Sequence, residues 1–126
     1  MSRLFAVGAF MLALAVAAGA FGAHGLKAML TPEMLAIWET AARYHAIHGL
    51  GLLAVGYAAD RGLGKSARVA GGLLVLGILL FSGSLYGYAL TGTRALAMIT
   101  PLGGACFIAG WLVLGVGAWR RAGAEV

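Results

Sequence analysis

The chain has 126 residues, 62% of them hydrophobic and only 10% charged, against roughly 25% charged in a soluble domain. That length limits it to one domain, and a mean hydropathy of +0.95 makes the lipid bilayer its natural solvent. The net charge of +5 falls in short clusters between apolar runs, a pattern of topogenic signals that excludes a phosphate-tracking stripe and nucleic acid as a partner.

Four apolar runs, residues 4–23, 32–59, 69–90 and 95–118, are long enough to cross a hydrocarbon core of ~30 Å at ~1.5 Å per residue. In lipid the backbone must satisfy its own hydrogen bonds, so these runs are expected to be helices. The first imitates a secretory signal, with Arg3 ahead of an apolar stretch and small residues behind it. It is longer than a usual signal core, and is read as a retained span that His24 closes at its far end. Thr31-Pro32-Glu33 opens the second span with an N-cap, a proline in the first turn and an acid at the positive dipole end; Gly62 and Gly64 stop it. The third carries Ser82, Ser84 and Tyr86, and the fourth carries Thr100, Pro101 and Cys106. Cys106 is the one thiol, so no intrachain disulfide supports the fold.

The expected fold is therefore an all-α membrane protein, a single four-transmembrane-helix bundle over residues 1–126. Arg3, the segment with Arg61, Lys65 and Arg68, and the tail with Arg120 and Arg121 fall on one side, with only Lys27 and Arg94 opposite. The positive-inside rule then puts both termini in the cytoplasm. Trp119 is expected to anchor the inner interface and Trp38 the outer one. Small residues four apart, Ala15/Gly19, Ala18/Gly22 and Gly83/Gly87, predict close helix packing. The same small-residue faces are the candidate surfaces for a homo-oligomer or a membrane-protein partner.

The second span holds the unusual segment WETAARYHAIHGLGLL (38–53). Helical spacing puts Tyr44, His45, His48 and Gly49 on one face with Ala41 and Gly56. Glu39 and Arg43, at i,i+4, fall on another face and predict an interfacial ion pair. Measured from the cytoplasmic ends, His48 lies near the midplane and His45 about one turn further out. Ser82, Ser84, Tyr86, Cys106 and Thr100-Pro101 come at similar or outer depth. Polarity thus opens towards the outside, and the inner halves are almost purely apolar.

Ionisable groups inside a membrane are costly and usually face the bundle interior. One reading makes the layer of His24, Tyr44, His45, His48, Ser82, Ser84 and Tyr86 structural, with neutral imidazoles bonding across helices towards Ser82 and Ser84. The other makes the same residues a small-ligand site. A metal reading takes His45 and His48, with Cys106 or His24 as further ligands suited to zinc or copper. It lacks HExxH, CxxC and any carboxylate on the histidine face, so no cofactor is expected. No Asp follows to orient a Ser/His pair, and no nucleotide, haem or flavin motif is present, so catalysis is not expected. A small transporter or proton path, and an accessory subunit of a larger membrane complex, are the remaining alternatives. The first needs polarity reaching the cytoplasmic half.

GAFGAHGL (19–26), the W-x-x-A-x-x-YH-x-x-H pattern from Trp38, FSGSLY (81–86), and ITPLGG (99–104) with GW (110–111) occur in this order over nearly the whole chain. Together they resemble the small four-helix bacterial YgdD type, similar to the eukaryotic transmembrane protein 256 family. The resemblance implies an integral protein of the bacterial inner membrane without an established biochemical role, and it carries no catalytic residues. Its motif positions, from Gly22, His24 and Gly25 to Thr100, Pro101 and Gly103, coincide with the outer polar layer.

Overall fold

The computed structural model describes residues 1–126 and is helical throughout, without strands. The long helices are α1 (Arg3–Ala23), α2 (Pro32–Ala58), α3 (Gly64–Gly77), α4 (Gly83–Thr91) and α6 (Thr100–Ala124), with a single turn α5 (Arg94–Ala97) before the last. Thr31 caps α2 by accepting from the Met34 N–H at 3.2 Å, with Pro32 in the first turn. Three stretches, not four, are long and apolar enough to span a membrane: Arg3–Ala28, Pro32–Thr91 and Arg94–Ala124. The second and third expected runs fall together in Pro32–Thr91, which has no coil linker but loses helical backbone at Gly62, where the sequence placed the stop.

The 60-residue middle stretch is nevertheless not one rod. Gly62, at φ 98°, and Gly64, at φ 31°, adopt backbone conformations that side-chain-bearing residues rarely take, and the chain reverses there. The halves then pack side by side: α2 lies against both α3 and α4. α3 begins at Gly64, five residues ahead of expectation, and α6 runs on to Ala124.

α1 packs on α2 through a seam finer than the sequence pairs suggested. Its buried residues are Gly8, Ala15 and Gly22, seven apart. On α2, Ala42, Gly49 and Gly56 repeat the interval and are also buried. A seven-residue repeat holds one seam along two slightly supercoiled helices. A Cβ on Gly56 would lie 2.6 Å from the Phe5 backbone nitrogen, so the backbones touch. The four-residue pairs do not describe this contact: Gly19 faces open space, and Gly83 meets only Ile78 of its own chain segment. A matching series, Gly103, Gly110 and Gly117, sets α6 against residues 63–81.

Hydrogen bonds gather both chain ends at the Gly62 reversal. The Ser2 N–H donates to Asp60 Oδ2 at 3.0 Å, and Arg121 Nη1 donates to the Gly62 carbonyl at 2.9 Å. Next to this end, Leu52, Val55, Ala67, Ala70, Leu74, Ile78 and Phe107 form the main apolar core. A smaller cluster of Leu26, Trp38 and Ala89 closes the opposite end.

Candidate functional site

Between these clusters lies a layer of buried polar groups: His45, His48, Ser82 and Ser84. A second π-turn, Ile78–Ser82, leads into α4. The extra residue it winds in accompanies the burial of both serines, two positions apart.

The serines lock helices rather than meet the imidazoles. Ser82 Oγ donates to the Ala41 carbonyl of α2 at 2.8 Å. Ser84 Oγ donates to the Phe81 carbonyl at 2.9 Å and shares a 2.6 Å hydrogen bond with Thr100 Oγ1, tying α4 to the start of α6. The expected histidine–serine bonds do not form, because each hydroxyl finds a backbone carbonyl at its own depth.

The two histidines diverge, since positions i and i+3 sit about 60° apart around a helix. The His48 ring stacks on Phe107 of α6 with centroids 3.4 Å apart and planes 7° from parallel. Its Nδ1–H donates to the Tyr44 carbonyl one turn back, at 2.7 Å. His45 turns towards α1 and α4. Its Nδ1 is 2.9 Å from the Tyr86 hydroxyl, and the Met11 backbone of α1 stands within hydrogen-bonding reach of the ring, although Nε2 makes no well-aligned bond. At 6% exposure His45 is as enclosed as His48.

Other expected members stand apart. Tyr44 is 38% exposed and lays its ring on Phe81, with centroids 4.6 Å apart. His24 is exposed and caps α1, while Cys106 is half-buried in α6. No three His, Cys, Asp or Glu side chains converge, so the proposed metal set of His45, His48, Cys106 and His24 is not assembled. The diverging imidazoles are the physical reason. The Glu39–Arg43 ion pair is also absent: both side chains are exposed, and Arg43 Nη2 donates to Thr40 Oγ1 at 3.3 Å. An exposed pair gains too little to outweigh a nearer hydroxyl. The ion pair that does form is Arg121–Glu125, at 3.1 Å.

Trp38 is no exposed anchor. It is 7% exposed, its Nε1–H donates to the Ala18 carbonyl at 2.8 Å, and its ring lies 4.5 Å from that of Tyr86. Gly22, where a Cβ would strike the indole, makes room for it. Trp119 is exposed, as an interfacial residue would be. Sequence reasoning missed the structural part of Phe107 and Phe81, which looked like ordinary apolar filler. The only available signal was helical spacing opposite the polar face.

Beside His45 the layer opens sideways into a groove of about 530 Å³ between α1 and α4. Leu14, Ala17 and Phe21 form one wall; His45, Tyr86 and Leu90 form the other. No charged residue lines it. The groove is thus a neutral, aromatic-rimmed hollow with one phenol and one imidazole in its lining.

The family profile described as "Protein of unknown function (DUF423)" matches residues 18–104, which include the α2 side of the seam, the histidine segment and the serine turn. The chain is 48% identical over 117 residues to the UPF0382 membrane protein SERP0230 of Staphylococcus epidermidis, covering 93% of this chain and 95% of that one. It is 46% identical over 114 residues to the UPF0382 membrane protein YwdK of Bacillus subtilis, covering 89% and 92%. A UPF0382 membrane protein of Haemophilus influenzae is 41% identical over 105 residues, covering 83% and 84%. No solved structure matches the chain. With helices of membrane-spanning length and relatives at this identity over nearly their whole lengths, the chain belongs to the DUF423 family of membrane proteins, for which no biochemical role is established.

Proposed function

We propose that this chain is a four-pass protein of the bacterial inner membrane, with both termini and residues 61–68 in the cytoplasm. In this reading it is not an enzyme and needs no cofactor: its polar layer locks α2 to α4 and offers His45 to a small ligand from the bilayer. The observation that carries the ligand part is His45 itself, an ionisable side chain deep in an apolar helix that also lines a lateral groove. Such groups are costly in a membrane and mark a functional site by default.

The reversal at Gly62 and the contacts Ser2–Asp60 and Arg121–Gly62 support the topology. They bring Arg61, Lys65, Arg68, Arg120 and both chain ends to one end of the bundle, the charge asymmetry expected of a cytoplasmic face. The apolar core beside that end speaks against a transport path. Serine hydroxyls bonded to carbonyls, without an imidazole base, support the absence of catalysis. Kinship with the YgdD type and the transmembrane protein 256 family rests on the ordered motifs from GAFGAHGL to ITPLGG. The bilayer is the partner of this reading. A second copy would use an uncovered small-residue face such as that of Gly19, where nothing lies within 4 Å.

The topology is tested with single cysteines in a Cys106→Ser background, labelled in intact cells by an impermeant thiol reagent. A cysteine at Met29 reacts and one at Lys65 does not. The reverse order overturns the reading.

A further inference from the structure

The reversal at Gly62 sets the start of α3 beside the start of α1. Ser2 fixes the approach: its N–H donates to Asp60 Oδ2 at 3.0 Å, and its Oγ donates to the Gly56 carbonyl at 3.1 Å. Leu4 then lies on Gly71, where a Cβ would meet Leu4 Cδ2 at 2.6 Å. Arg3 adjoins Leu4, and Arg68 comes about one turn before Gly71. Two guanidiniums from distant parts of the sequence thus line one hollow of about 290 Å³, together with Ser2, Leu4, Ala59, Asp60 and Gly64.

The charge of this hollow is unbalanced. Asp60 is the one acid in the lining, its Oδ2 is taken by Ser2, and neither arginine forms an ion pair with it. The arginines that do find protein acceptors are Arg43 and Arg121. Arg3 and Arg68 therefore keep their donors free, and like charges gathered without a counter-ion repel. Guanidinium forks match phosphate, which accepts parallel N–H bonds from each. Leu4 and Ala59 give the hollow an apolar wall. From Arg68, positions Gly72, Val75 and Leu79 follow at helical spacing on the same flank of the chain. A Cβ at Gly72 would meet nothing within 4 Å, Leu79 is exposed, and α1 scarcely touches α3. An apolar furrow thus leads away from the cationic hollow. A free phosphate has no use for the furrow, and an uncharged lipid has none for the arginines.

We propose that the cleft between the starts of α1 and α3 binds one anionic phospholipid, its phosphate held by Arg3 and Arg68 and an acyl chain laid along Gly72 and Leu79. Basic pockets between helices at a membrane surface suit such heads. With Asp60 engaged by Ser2 the hollow stays positive, so a zwitterionic head, which brings its own cation, fits less well. The proposal rests on the chain spanning a bilayer, but not on which leaflet this end meets.

The test is native mass spectrometry of the full chain released from detergent micelles, with palmitoyl-oleoyl phosphatidylglycerol titrated as the probe. A single adduct is expected to saturate first, with phosphatidylethanolamine of the same chains and inorganic phosphate each binding roughly tenfold more weakly. Arg3→Gln and Arg68→Gln each weaken the adduct about tenfold, the factor set by one charge-assisted hydrogen bond. Arg61→Gln and Lys65→Gln remove equal charge outside the hollow and change binding by less than about twofold. Both arginine side chains are exposed and unpaired, so the fold survives their removal, and binding is compared at matched unfolding midpoints. Equal weakening by all four variants would reveal a diffuse basic surface and overturn the proposal. Phosphatidylethanolamine binding as tightly as phosphatidylglycerol would overturn it too, since the chains alone would then be recognised. So would displacement of the lipid by an equal concentration of inorganic phosphate, the mark of a plain anion site. Cysteine labelling reads orientation in cells and this assay reads binding in micelles, so the two readings fall separately.

Discussion

Ser82 Oγ donates to the Ala41 carbonyl at 2.8 Å, with Ser82 wholly buried and Ala41 likewise, and this bond holds the fourth helix on the second at the depth of the histidines. The Ala41 carbonyl already serves helix α2, so the serine adds a second donor to it and does not rescue an orphan. Hydrogen bonds between helices in membrane proteins are worth ~0.6 kcal/mol on average, up to ~1.7. Ser82→Ala is expected to lower stability by about 0.5–1.5 kcal/mol, read from the denaturant midpoint in mixed micelles. Ser82→Val is expected to cost more, because its added methyl groups have no space at a fully enclosed position.

His48 acts through its ring face. Stacked 3.4 Å from Phe107, it fills the volume between α2 and α6, and truncation leaves a hole that the helices cannot close without moving. His48→Ala is expected to cost about 2–4 kcal/mol. His48→Phe keeps the stack and loses only the bond to the Tyr44 carbonyl, so it should retain most of the stability. Equal losses in both variants, measured by thermal unfolding in detergent, would show that the polar bond and not the stack carries the position.

The α1–α2 seam makes a sharper demand. Any Cβ at Gly56 meets the Phe5 backbone at 2.6–2.8 Å, and backbone cannot step aside as a flexible side chain can. Gly56→Ala is expected to push the helices apart and to destabilise by about 2 kcal/mol or more. Gly72→Ala, on α3 where nothing lies within 4 Å, should be neutral or mildly stabilising through helix propensity. The pair of unfolding midpoints separates contact from composition.

Much of this was legible in sequence because lipid leaves few choices. Long apolar runs must be helices, and the Thr31-Pro32-Glu33 start sits in the structure where its capping chemistry put it. The polar layer was also visible, since a histidine in an apolar helix must face inward, and His45 and His48 do. Partners were not legible. Helical periodicity gives a face but no tertiary distance, so it points His45 at the serines although Tyr86 is its partner, and it cannot show that Ala18 offers Trp38 a buried acceptor. The seven-residue glycine and alanine ladder was present in the sequence throughout. It was hidden because four-residue pairs such as Ala15/Gly19 occur by chance in a chain with 21 glycines.

The His45–Tyr86 pair gives the last prediction, through a double-mutant cycle. Tyr86→Phe removes the partner of Nδ1 and leaves that nitrogen of a buried imidazole unsatisfied. A cost of about 1–3 kcal/mol is expected. His45→Leu removes the imidazole together with the bond, and leaves only the Tyr86 hydroxyl, which is half-buried and borders the groove. It should therefore cost less than Tyr86→Phe. The double variant replaces both partners by apolar groups of similar size, and its stability should return close to that of the parent chain. The coupling energy is then about 1 kcal/mol or more, as is usual for residues in direct contact. Simple addition of the two single losses, measured as unfolding free energies in the same micelles, would mean that the 2.9 Å contact contributes nothing.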